Sequence, residues 1–153
     1  MDEEREVVSL YFGLLGGWNR QSAGDMAALF EPGGTIVGFD GSQHLGAANI
    51  EAQVGSILAD HTTARYVARV RDVRFLTPEV AVLRAIAGMV PPGQDDIQPA
   101  VNVVQTLVAV KRDGGWRIAV YQNTPAAYHG RPELRDEMTE ELRQVLRAEG
   151  IPS

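Results

Sequence analysis

The sequence contains no cysteine, which excludes disulfides, thiol nucleophiles and thiolate metal sites together. Lysine is nearly absent as well: Lys111 is the single lysine among fourteen basic residues, and the rest are arginine. Acidic residues outnumber basic ones, and the net charge of −6 argues against a general nucleic-acid binder, whose surface would be basic. Only His44, His61 and His129 supply imidazole, and no pair of them has metal-ligand spacing. Neither the GxGxxG nor the P-loop pattern occurs, so no cofactor and no metal is expected. No apolar run approaches the ~18 residues that span a bilayer. The opening MDEERE is acidic where a secretion signal needs a basic flank. A cytoplasmic protein that meets neither membrane nor nucleic acid is the expectation.

What is present is 153 residues, 44% of them apolar, enough for one domain over 1–153 with a real core. Its densest signal is VNVVQTLVAVKRDGGWRIAVYQNTP, residues 101–125, which reads as two long strands joined at Arg112-Asp113-Gly114-Gly115. Glycine supplies the positive φ that such a turn requires. With a three-residue loop, Val110 faces Ile118, Val108 faces Val120 and Thr106 faces Gln122. The other face then pairs Ala109 with Ala119, Leu107 with Tyr121 and Gln105 with Asn123. Neither face is plainly solvent, so one should hold a core or pocket and the other should meet something else.

Before the hairpin, Val7, Tyr11, Leu14 and Trp18 mark one face of a helix over 3–19, where Gly13, Gly16 and Gly17 imply close packing. Ser22 caps a short helix over 23–30, Pro32-Gly33-Gly34 ends it, and a strand over 35–39 leads into the loop 40–44. A helix over 47–59 follows, then strands over 65–76 and 80–89 joined through Thr77-Pro78-Glu79. Residues 90–99, rich in Pro, Gly and Asp, are the candidate lid. Pro132 suits the first turn of a last helix over 131–148. Helices first, then antiparallel strands, then a helix is an α+β order. One strongly curved sheet whose concave side is closed by the first three helices fits it.

This order, with the run WNRQSAGDMAALFEPGGTIVGFDG at 18–41 and the ending DGGWRIAVYQNT at 113–124, resembles the nuclear transport factor 2-like, or SnoaL-like, superfamily over roughly 4–125. Within it the chain is most similar to the SgcJ/EcaC-type proteins associated with enediyne polyketide biosynthesis. The resemblance implies a cone-shaped α+β fold with a deep pocket, and homodimers formed through the convex sheet face. Members include ketosteroid isomerases, polyketide cyclases and epoxide hydrolases, and others only bind ligands, so fold leaves function open. It further implies a protein that binds a polyene or cyclised polyketide intermediate and, if catalytic, acts by acid–base chemistry. The alternative is a non-catalytic module that docks on a polyketide synthase.

Asp40 lies where isomerase-like relatives place a general base, and the same residue in an Asp-Gly-Ser turn caps its own backbone. His44, four residues on, is either its proton partner or a surface histidine. Tyr11 resembles the first-helix oxyanion donor of the isomerases, or is core together with Trp18. The protonated Asp those isomerases set beside the Tyr has no counterpart, since 97–112 holds no acid. Steroid-type isomerisation is therefore not expected. Phe39, Tyr66 and Met89 are candidate apolar contacts, and Arg84 clamps a ligand anion or faces a dimer partner. By strand parity Asn102 and Gln122 share the pocket face, with Gln122 favoured over Asn123. Arg65, Arg69 and Arg71 form a row that is solvated, dimer-facing, or a dock for an acidic carrier domain.

Overall fold

The computed structural model describes residues 2–153. Helices α1 (Asp2–Asn19) and α2 (Ala23–Ala27) open the chain, followed by β1 (Phe30–Val37), β2 (Gln43–Leu45) and α3 (Ala47–Asp60). Four long strands come next: β3 (Arg65–Thr77), β4 (Val80–Val90), β5 (Val103–Arg112) and β6 (Gly115–Pro125). A 3-10 turn at Pro99–Val101 precedes β5, and α4 (Pro132–Glu149) closes the order. The strands form one curved sheet in the order β2-β1-β6-β5-β4-β3. This is the α+β architecture expected from the sequence, with one difference. β1 runs parallel to β6, so the sheet is mixed rather than wholly antiparallel.

That pairing begins earlier than expected because Phe30 is drawn into the core and Pro32-Gly33-Gly34 lies inside the strand. The register against β6 breaks between Phe30 and Thr35, and a proline is tolerated at such a break because no ladder N–H is needed there. A side chain at Gly34 would come within 2.8 Å of both the Ile118 carbonyl and the Phe30 ring. Only glycine lets the two backbones approach this closely.

On the concave side, Val7, Leu10, Tyr11, Leu14 and Leu15 of α1 are buried. They pack against Leu83, Ala85, Leu107, Ala109 and Ile118 of the sheet. The α1 glycines do admit close neighbours: a methyl at Gly17 would stand 2.7 Å from Met26 of α2. Ser22 caps α2 by accepting from the Asp25 N–H at 3.2 Å.

The convex side carries a second core. Met138 and Leu142 of α4 pack on Val67, Ile86, Val90 and Ile97, and Gly88 leaves the space that Leu142 fills. The Asn102 amide donates to Thr139 Oγ1 at 2.9 Å. Two expectations change as a result. Arg69 and Arg71 both pair with Glu141 of α4, at 3.3 and 2.5 Å, so this chain's own helix answers the arginine row. The 90–99 segment is pinned rather than lid-like, because Ile97 is buried and Asp96 pairs with Arg143 at 2.8 Å.

Apolar contact, more than these ion pairs, holds α4. Leu142→Ala should cost about 2–5 kcal/mol in urea unfolding, by transfer loss plus cavity. Arg71→Ala, at a half-exposed pair, should cost about 1 kcal/mol or less.

Candidate functional site

Where the curved sheet parts from α1, α2 and α3, a cavity of about 570 Å³ opens. Leu14 and Leu15 of α1, Met26 of α2, Val54 of α3 and Ile36 of β1 supply its buried apolar walls. Tyr66 of β3 and Tyr121 and Asn123 of β6 supply the buried polar groups. Phe39, Asp40, Ser42, Gln53 and Ile57 are exposed and form the mouth.

The end of α1 seats one wall. Trp18 Nε1 donates to the Ala64 carbonyl at 2.9 Å. Asn19 brackets the Tyr66 backbone, accepting from its N–H at 2.8 Å and donating to its carbonyl at 3.1 Å. The Trp18 and Tyr66 rings then lie 5.9 Å apart, tilted by 55°.

The hairpin sets the other wall, and its register differs from the expected one. The turn has two residues, Asp113 and Gly114, with φ of 53° and 81°, and Arg112 pairs with Gly115. Near the turn Ala109 pairs with Ile118, whereas beyond it Val108 pairs with Val120, so β6 contains a bulge at Ala119. A bulge resets the side-chain alternation. Trp116 and Ile118 before it and Tyr121 and Asn123 after it therefore all face the concave side. Gln122 faces outward and is exposed; the parity argument that favoured it over Asn123 fails at this bulge.

Of the residues singled out from the sequence, Trp18, Phe39, Asp40, His44, Tyr66 and Met89 line the cavity. Four others do not. Tyr11 lies fully buried beneath it, its hydroxyl donating to Gln105 Oε1 at 2.5 Å. Arg84 alternates with the concave Leu83 and Ala85 and is exposed on the convex side, bonded to Asp72 at 2.5 and 3.1 Å. Asn102 is committed to α4. Gln122 is the fourth. Tyr121 and Asn123 were the residues missed; the signal for them was the opposite hairpin face, which the Leu107–Tyr121 and Gln105–Asn123 pairs already defined.

Electrostatics at the mouth bear directly on Asp40. Its carboxylate accepts from the Ser42 N–H at 2.9 Å. That bond, chiefly, holds the carboxyl below its ordinary value of 3.8, with nearby His44 adding to the effect. A general base working on a carbon acid needs the opposite shift. Asp40 lines the cavity mouth but is engaged in capping its own turn, an arrangement that opposes rather than favours a general-base role. Deeper in, burial pushes the Tyr66 phenol up to about 12. Burial also raises Tyr121 well above its ordinary range, with Tyr66 and Tyr11 adding to it against a smaller opposing pull from the Asn123 amide. Among the described residues, no cluster of three or more metal-binding side chains occurs, and no helix is long and apolar enough to cross a membrane.

The family model of the SnoaL-like domain matches residues 14–128, most of the chain. The chain belongs to the SnoaL-like family. No curated protein matches it. Among solved structures, this SnoaL-like chain is similar to a domain of unknown function with a cystatin-like fold from Nostoc punctiforme PCC 73102. That match has 23% identity, a TM-score of 0.78, and covers 96% of this chain and 94% of the other. A ketosteroid isomerase-like protein from Erwinia carotovora atroseptica matches at 14% identity and TM-score 0.64, over 81% of this chain and 96% of that one. Aln2 from a Streptomyces species matches at 16% identity and TM-score 0.66, over 81% and 91%. At these identities the likeness speaks for the SnoaL-like fold alone.

The Asp40 geometry has a pH signature. A carboxyl with a depressed folded-state pKa stabilises the fold above its unfolded pKa, and loses that contribution as pH falls through the folded value. Asp40→Asn should therefore be slightly less stable than wild type at neutral pH, with the gap closing below about pH 4. Thermal melts across the acid-to-neutral range measure this, and a gap that widens in acid is the contrary result.

Proposed function

We propose that this protein is a small-molecule pocket protein of the SgcJ/EcaC type, which binds a polyene or cyclised polyketide intermediate of enediyne biosynthesis. The observation that carries the binding reading is the cavity of about 570 Å³ with buried apolar walls and a mouth where Phe39 and Ile57 stand among polar residues. Small-molecule sites typically enclose about 300–1,000 Å³, mostly apolar with a few oriented polar groups. The polyketide assignment is supported by the sequence likeness over 18–41 and 113–124, and the elongated, hydrophobic nature of such intermediates suits these walls. A cytoplasmic location belongs to the same proposal.

The site favours binding and shaping over acid–base catalysis. Asp40 is exposed and weakly basic, and nothing in the cavity pairs a raised carboxyl with a proton partner. Shielding a reactive chain from water needs no such pair. The expected assembly is a homodimer through the part of the convex face that α4 leaves open, where Val104 is 38% exposed. Docking of a carrier domain on the arginine row is the weaker alternative, because Glu141 already occupies Arg69 and Arg71.

A reconstituted enediyne synthase, assayed for polyene product by mass spectrometry, tests the function. Omitting the protein should change product yield or distribution, and Val54→Trp, which fills the cavity, should act like omission. Asp40→Asn and His44→Ala should keep product within about twofold, since neither is asked to stabilise a transition state. Product unchanged on omission refutes the proposal. Separately, sedimentation should show a dimer that Val104→Arg converts to monomer, through an unpaired charge at the interface.

A further inference from the structure

Beneath the cavity lies a chain of buried polar groups whose proton directions are fixed from one end. The Val37 carbonyl can only accept, so the Asn123 side chain must turn its Nδ2 toward it, at 3.1 Å. Asn123 Oδ1 then faces Gln105 at 2.7 Å, which requires Gln105 to present Nε2 there. The second Nε2 hydrogen goes to the Tyr121 oxygen at 2.6 Å. Gln105 Oε1 on the other side takes the Tyr11 proton at 2.5 Å. An amide has two donors and an acceptor with two lone pairs, so this orientation satisfies Gln105, which is wholly buried. Reversing either amide would set two acceptors or two donors face to face.

The consequence falls on Tyr121. Its oxygen accepts from Gln105, so its own proton points away from the amide, and no protein acceptor takes it among the described residues. Tyr121 lines the cavity, and so does Tyr66, whose hydroxyl also has no hydrogen-bond partner among the described residues. A hydroxyl that opens on the cavity has its proton free for whatever acceptor enters.

We propose that Tyr121, with Tyr66 as a second donor, holds the carbonyl oxygen of a neutral, apolar ligand at the inner end of the cavity. The ligand's oxygen supplies the acceptor that the protein withholds. Burial keeps both phenols protonated through the neutral range, as donors rather than phenolates. A carboxylate ligand fits poorly, since no Arg or Lys lines the cavity and a buried anion without a cation is costly. The class is therefore a ketone, aldehyde or ester on a hydrophobic body, not a fatty acid. This deepens the binding reading above and rests on it.

Three naphthalene probes separate the two claims: 6-propionyl-2-(dimethylamino)naphthalene, the 6-propyl analogue without the carbonyl, and 6-(dimethylamino)-2-naphthoate. Fluorescence titration of the wild-type protein should give the ketone about tenfold tighter binding than the propyl analogue, the worth of one good neutral hydrogen bond. Naphthoate should bind more weakly than the ketone. Tyr121→Phe should remove most of the ketone's advantage and shift its bound emission to the blue, as expected when its carbonyl loses a donor. Binding of the propyl probe should hold within about twofold, which shows the cavity intact. The Tyr121→Phe, Tyr66→Phe double variant should bind the two neutral probes equally. Equal binding of ketone and propyl probes by the wild type, an unchanged ketone affinity in Tyr121→Phe, or tighter naphthoate binding overturns the donor assignment while leaving the pocket standing. Failure of both neutral probes to bind overturns the pocket reading itself.

Discussion

The site depends on one extra residue in β6. Without the bulge at Ala119, the alternation that buries Trp116 and Ile118 would put Val120 and Gln122 on the concave side and turn Tyr121 and Asn123 outward. With it, the strand delivers two apolar side chains to the core beside the turn and two polar ones to the cavity further on. A bulge also increases local twist, which suits a sheet that must curve around α1. The same irregularity thus serves the packing of one half of the strand and the chemistry of the other.

The buried amide of Gln105 shows how a polar floor is kept without a charge. An ionised carboxylate at that depth would need a counter-ion or a raised pKa, and no Arg or Lys lines the cavity. An amide meets the same hydroxyls while remaining neutral, and its two ends differ, so each neighbour has a defined role. Tyr11 gives a proton and Tyr121 receives one. Networks of this kind fix geometry as long as every member is satisfied. Here one member is completed only from inside the cavity.

Element type was legible from the sequence because period and punctuation agreed. The Val7–Tyr11–Leu14–Trp18 stripe and the Thr77-Pro78-Glu79 turn each led to the element found. What parity cannot show is a break in parity. The Gln122 reading failed at Ala119, where nothing in the residue types marks a bulge. Asn102 was read as a pocket group, and Arg84 as a ligand clamp or a dimer-facing residue, because the sequence does not say which sheet face α4 covers. Asp40 carried two readings in the sequence, base or turn, and the Ser42 N–H supplies the turn contact that the second one called for. The parallel β1–β6 pair joins strands far apart in the chain, a choice that local pattern does not encode.

β3 is a thirteen-residue strand at the border of the sheet, with β4 on one side and, among the described residues, no strand on the other. A long, flat border of unpaired backbone groups invites another sheet to add to it. This border is neither flat nor apolar. Its ladder to β4 shifts between Val70 and Asp72, and Arg65, Arg69, Arg71, Asp72 and Arg74 stud it with charge. Charges and a kink are the devices by which sheets avoid growing from chain to chain. The arginine row thus places charge along the border that a strand of another copy would have to approach.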